Sequence, residues 1–194
     1  MNVRVSELKL DRFPVLETER FLLRRMSVDD AHEVFRLFSD AEVTKDMGIE
    51  PLTDAMQAER LILFMNDLYE KNQAFRWGIV KKDDNALIGT CGFNGWEMNR
   101  GARGEIAYDL SKRYWRRGYM TEVVRAVLRF GFETAGLHRI EAFTNVDAEP
   151  SIGFLRRLGF TEEGILRGYS RIHGQFADQR CFSLVKTEWI LAKT

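Results

Sequence analysis

The chain has 194 residues, 45% of them hydrophobic and 30% charged, which fits one folded domain with a sizeable core and excludes a disordered chain. Lysine plus arginine equals aspartate plus glutamate, 29 of each, so no overall field draws the protein to nucleic acid or to a membrane surface. No apolar run approaches the roughly 18 residues that a bilayer span requires.

Residues 1–15 read as an N-terminal arm ahead of a domain over residues 16–194. The arm interleaves Arg4, Glu7, Lys9, Asp11 and Arg12 with aliphatics, unlike the apolar stretch of a secretion signal. Residues 19–26 read as a strand. Ser27 with Asp29 and Asp30 then opens a helix that carries Ala31, Val34, Phe35 and Phe38 at helical spacing. Thr53 and Asp54 cap a second helix with Leu61, Ile62, Met65 and Leu68 on its apolar side. Phe75, Trp77 and Ile79 alternate as a strand, residues 83–85 turn the chain, and residues 86–93 return as its partner. Residues 96–103 read as loop, and residues 105–110 as the next strand. Met120, Val123, Val127, Phe130 and Thr134 form the buried stripe of a long helix. Residues 139–144 form another strand, Pro150 and Gly159 bracket a short helix, and two last strands flank a turn at His173 and Gly174. The order β α α β β β α β α β β predicts a mixed sheet covered by helices on both faces.

Cys91 and Cys181 match no metal spacing and read as small core residues in a reducing cytoplasm. His32, His138 and His173 form no metal-binding pair, so no metal is expected.

The most informative segment is Trp115-Arg116-Arg117-Gly118-Tyr119-Met120-Thr121, between the strand over residues 105–110 and the long helix. A strand that turns through glycine into a helix presents unpaired N–H groups at the positive end of the helix dipole, a site for phosphate. Arg116 and Arg117 add attraction for the same anion, although solvated loop charges are the plain alternative. The segment lacks the full glycine patterns of kinase-like and dinucleotide sites, which disfavours both.

This order, joined to particular residues, resembles the GNAT acetyltransferases and, within them, the ribosomal-protein N-terminal acetyltransferase (Rim-type) branch. The carriers are Leu16-Glu17-Thr18-Glu19-Arg20-Phe21-Leu22-Leu23-Arg24, Leu87-Ile88-Gly89-Thr90, Glu105-Ile106-Ala107-Tyr108-Asp109-Leu110, and the turn at Trp115 to Met120. Ser151 through Gly159-Phe160, then Thr161 to Gly168, Ser183-Leu184 and Glu188-Trp189 complete them. Trp115 and Met120 depart from the family's outer turn residues, and Ala148 stands where many relatives carry asparagine.

The resemblance implies an α/β (α+β mixed) fold with a mostly antiparallel sheet of about seven strands. It implies acetyl-CoA as co-substrate, held by Tyr108, Leu110, Arg116, Arg117, Gly118, Tyr119, Met120, Thr121, Asn145, Ser151 and Phe154. It also implies direct attack of a primary amine on the thioester, with Glu105 as candidate base and Ser151 as candidate proton donor to the thiolate. A solvated strand end, a partner of Arg103, and a helix cap are the plain roles of these two residues. Asp178 is a second carboxylate candidate, and His173 reads as turn surface. The expected acceptor is the α-amine of a protein or peptide N-terminus, ribosomal by resemblance. A small amine such as an amino acid, polyamine or aminoglycoside is the rival acceptor, and a non-catalytic acyl-CoA-binding regulator the rival class. The protein is expected in the cytoplasm as a monomer or homodimer, without direct contact to nucleic acid or membrane.

Overall fold

Phe21, Leu22 and Leu23 point to alternate faces of one strand, and both faces find a helical cover. The computed structural model describes residues 12–191. Strands β1 (Leu16–Glu17) and β2 (Phe21–Arg24) lead into helices α1 (Ala31–Phe38), α2 (Ala41–Thr44) and α3 (Ala55–Glu70). Strands β3 (Phe75–Lys81), β4 (Leu87–Glu97) and β5 (Arg103–Leu110) follow, then helix α4 (Tyr119–Arg129) with a π-helical turn at Phe130–Thr134. Strand β6 (Arg139–Asn145), helix α5 (Glu149–Arg157), strands β7 (Thr161–Ile172) and β8 (Gln175–Val185) and helix α6 (Lys186–Leu191) complete the chain.

The sheet has eight strands in the order β1-β2-β3-β4-β5-β6-β8-β7. Every neighbouring pair is antiparallel except β5–β6, which is parallel. The strand beyond the expected seven is β1, whose two residues are too short to show any periodicity. Two short helices, α2 and α6, were likewise outside the expected order. The expected loop over residues 96–103 is narrower, because Trp96 and Glu97 still pair with Gly104 and Arg103.

Leu22, Val80 and Leu87 pack under α1 and α3, whereas Phe21, Leu23, Trp77, Ile79 and Ile88 pack under α4. Trp77 is fully buried, and its indole N–H donates to the Pro14 carbonyl at 2.7 Å. Phe13 meets Tyr69 edge-on at 4.9 Å. These two arm residues thus lie on the core, while residues 1–11 of the expected arm fall outside the described residues. Among the described residues no helix is long and apolar enough to cross a membrane.

Candidate active site

The parallel contact between β5 and β6 is short. Arg103, Gly104 and Glu105 lie opposite Arg139, Ile140 and Glu141, and there the pairing stops. Beyond it β5 runs on against β4 to Leu110, and β6 runs on against β8 to Asn145. The two strands therefore open a wedge whose inner edges carry backbone N–H and C=O groups without a strand partner.

Alternation assigns the side chains of the wedge to two faces. Ile106, Tyr108 and Leu110 belong to the core beneath α4, so Glu105, Ala107 and Asp109 point to the other face. On the α4 face, Tyr108 Oη and Ser151 Oγ are hydrogen-bonded at 2.8 Å, and the Tyr108 ring meets Phe154 at 5.0 Å. Burial pushes the Tyr108 phenol above its ordinary value, and the hydrogen bond with Ser151 only partly opposes this. Tyr108 is therefore a neutral O–H at physiological pH. The cap position of α5 is Ala148 and no side chain caps the helix, so the Ser151 hydroxyl is free to meet Tyr108. A tyrosine reaching the wedge from β5, rather than from α5, was not anticipated as a hydroxyl donor. The alternation of Tyr108 with Ile106 and Leu110 was the available signal.

At the end of β5 the chain makes the turn expected of an anion site. The Trp115 indole donates to the Leu110 carbonyl at 2.7 Å and ties the turn to the strand. Gly118, at φ 73°, precedes α4, and no side chain caps that helix. The N–H groups of its first turn are thus left for solvent or a ligand. Arg116 is also left-handed, at φ 59°, a conformation that costs a non-glycine residue about 1–2 kcal/mol. Arg116 and Arg117 are exposed, whereas Tyr119, Met120 and Thr121 are half-buried. Arg20 lies 4.7 Å over the Tyr119 ring, and its backbone N–H donates to the Glu122 carboxylate in the first turn of α4 at 2.9 Å.

The opposite face holds the carboxylates. Glu105 is half-buried and accepts from Asn94 Nδ2 at 3.0 Å. Phe143 and Tyr169 stack at 4.8 Å, and burial followed by the Glu105 charge raises the Tyr169 phenol pKa. Glu163 accepts two hydrogen bonds from Arg139, at 2.7 and 2.6 Å, and one from Ser183 at 2.7 Å. The Arg139 guanidinium, with Ser183, holds the Glu163 carboxyl down at about 2. Asn145 lies on this face too, with its amide donating to Asp46 at 3.0 Å. It stands away from Tyr108 and Ser151, because it follows the exposed rather than the buried phase of β6. Asp178 accepts from the Gly168 N–H at 2.8 Å and supports the irregular segment of β7. His173, left-handed in the hairpin turn, meets Glu50 at 2.8 Å, and that carboxylate raises its pKa.

Comparison with known proteins identifies the family. The model of the acetyltransferase (GNAT) domain matches residues 20–161. The uncharacterized N-acetyltransferase p20 of Bacillus licheniformis is 42% identical over 90% of this chain and 97% of its own. The [ribosomal protein uS5]-alanine N-acetyltransferase of Escherichia coli is 27% identical over 64% of each chain. A solved ribosomal L7/L12 α-N-protein acetyltransferase in complex with coenzyme A is 18% identical, with a TM-score of 0.77, over 89% of this chain and 98% of that one. The family match extends through β5, the uncapped turn, α4, β6 and α5. This chain belongs to the GNAT family and is an N-acetyltransferase with acetyl-CoA as its co-substrate.

Proposed function

We propose that the protein acetylates the α-amine of a protein or peptide N-terminus by direct attack on the thioester of acetyl-CoA. One observation carries this reading. The carboxylate of Glu105 and the hydroxyl pair of Tyr108 and Ser151 lie on opposite faces of the sheet where β5 and β6 part. An amine arriving from the Glu105 face and a thiol leaving on the Tyr108 face would meet at a carbonyl in the wedge. The amine nitrogen bonds to the carbonyl carbon, and the C–S bond breaks. The amine proton passes to water held by Glu105, and the thiolate takes a proton from Tyr108 or Ser151. The unpaired inner edge of β5 can bond amides of the coenzyme arm. Its phosphates suit the N–H groups from Gly118 to Thr121, with Arg116 and Arg117 beside them.

The acceptor follows from acid–base cost. An α-amine with an ordinary pKa near 7.7–8.0 costs about 1 kcal/mol to deprotonate at pH 7, and a lysine near 10.4 costs about 4.6 kcal/mol. A carboxylate acting through water is adequate for the first. The names of the E. coli relative and of the coenzyme A complex point to the same acceptor class, ribosomal-protein N-termini.

Thiol release from acetyl-CoA, measured across a panel of acceptors, tests the proposal. Peptides with free N-termini should outperform the same peptides with blocked N-termini and internal lysines. Equal rates would remove the N-terminal selectivity. Turnover confined to polyamines or aminoglycosides would transfer the activity to small amines, and no release with any acceptor would leave a coenzyme-binding protein.

A further inference from the structure

Asn94 touches the candidate base and Arg76 touches Asn94, neither with a role in the site described above. Register shifts in β4 between Phe93 and Gly95, so Asn94 is the extra residue of a bulge beside Glu105. Its Nδ2 donates to Glu105 Oε1 at 3.0 Å, and its Oδ1 accepts from Arg76 Nη1 at 3.0 Å. A guanidinium carries donors only, so the amide oxygen has to face Arg76 and the amide NH2 has to face Glu105.

Arg76 is itself held at its two other nitrogens. Nε donates to Thr90 Oγ1 at 2.8 Å and Nη2 to Asp109 Oδ2 at 2.6 Å, while Thr90 Oγ1 donates to the same Asp109 oxygen at 3.0 Å. Asp109 and Arg76 side chains are only 8% and 13% exposed, so the pair is shielded from solvent screening. The arginine starts on β3 and reaches β5 across Gly92, its register partner on β4, which has no side chain to block the way.

We infer that Asn94, oriented by Arg76, is a positioning residue for Glu105. It ties up Oε1 and leaves Oε2, which has no hydrogen-bonding partner among the described residues, as the oxygen that orders the proton-accepting water. A neutral amide holds the carboxylate in place without the charge neutralisation an arginine would bring. The inference rests on Glu105 serving the amine proton as proposed above.

The test is kcat against KM in Asn94→Ala, Arg76→Lys, Glu105→Gln and the Glu105→Gln/Asn94→Ala double variant. Asn94 is exposed, so its alanine variant keeps the fold. Asn94→Ala should lower kcat about 10-fold, a fraction of a positioned base's contribution of roughly 100-fold or more. It should leave the KM for acetyl-CoA within about twofold, because the coenzyme contacts are untouched. Arg76→Lys keeps a cation for Asp109 but releases Asn94, so it should show the same fall in kcat at unchanged KM. Adding Asn94→Ala to Glu105→Gln should cause no further loss. A wild-type kcat in Asn94→Ala, or a loss additive to that of Glu105→Gln, would overturn the positioning role alone. Wild-type turnover in Glu105→Gln would instead overturn the base assignment, and the positioning role with it.

Discussion

Arg76 in the β1–β5 half of the sheet and Arg139 in the β6–β8 half occupy comparable places, each using all three guanidinium nitrogens on the face away from α4. Arg139 gives all three to carboxylates, one to Glu141 and two to Glu163. Arg76 gives one to a hydroxyl, one to an amide and one to Asp109, and so reaches Glu105 only through Asn94. In the first arrangement the acids are neutralised by a cation and fixed. In the second, an acid is oriented while keeping an oxygen free. Two carboxylates on one face of one sheet can thus be given different tasks by what stands between them and the nearest arginine.

The comparison breaks if the two acids respond alike to neutral replacement. Glu105→Gln should lower turnover at neutral pH by roughly 10- to 1000-fold, with the defect shrinking as pH rises and more acceptor arrives neutral. Rates measured from pH 6 to 9 check this, and a pH-independent defect would remove the base role. Tyr108→Phe should lower turnover by roughly 10- to 100-fold, and Ser151→Ala by less, since coenzyme thiolate is already a tolerable leaving group. Both should retain coenzyme affinity by calorimetry. A loss of binding in either would turn the hydroxyl pair into a coenzyme clamp.

At the turn, Gly118→Pro forces a ring fixed near −65° onto a residue at φ 73°, and should weaken coenzyme A binding by about 10-fold or more. Gly118→Ala meets no atom within 4 Å and pays only the left-handed strain, so its effect should be smaller. Unchanged affinity in a folded Gly118→Pro variant would move the phosphate site elsewhere.

Glu163→Gln should do the reverse of Glu105→Gln, leaving turnover within about threefold and lowering stability. The folded carboxyl sits at about 2, below its ordinary 4.5. Its contribution is therefore complete above about 4.5 and fades as pH falls through 2. Urea unfolding at pH 6 should separate variant from wild type, and the gap should close in acid. The Glu163 side chain is 41% exposed, so solvent screening keeps the effect small. A gap that widens in acid would contradict the assigned ion pairing.

Much of the fold was legible because its signals are local. Ser27, read as a helix start with acids after it, forms a capping box with Asp30, Asp54 caps α3, and His173 and Gly174 take the left-handed turn of the last hairpin. The turn from Arg116 to Thr121 was readable for the same reason, since strand, glycine and helix are consecutive. What escaped depends on distance along the chain. Tyr108 and Ser151 are 43 residues apart, and Arg76 and Asp109 are 33 apart, so no window of sequence contains either pair. The bulge at Asn94 has no composition of its own, because any residue can be the one left over when a register shifts. Asn145 shows the opposite problem: it follows the strand as a cofactor residue would, but strand phase sends it to the face of Asp46.

The short parallel contact between β5 and β6 has a mechanical consequence. Only three residue pairs join a five-strand sheet to a three-strand sheet, so the backbone has a seam at its centre, where most sheets are strongest. The core under α4 spans the seam with side chains such as Ile106, Ile140 and Phe182, but side-chain contacts restrain separation better than they restrain rotation. Amide exchange should therefore be faster at Ile106 to Leu110 of β5 than at their β4 neighbours. A ligand lodged in the wedge would slow it, acting on the molecule as a keystone acts on an arch.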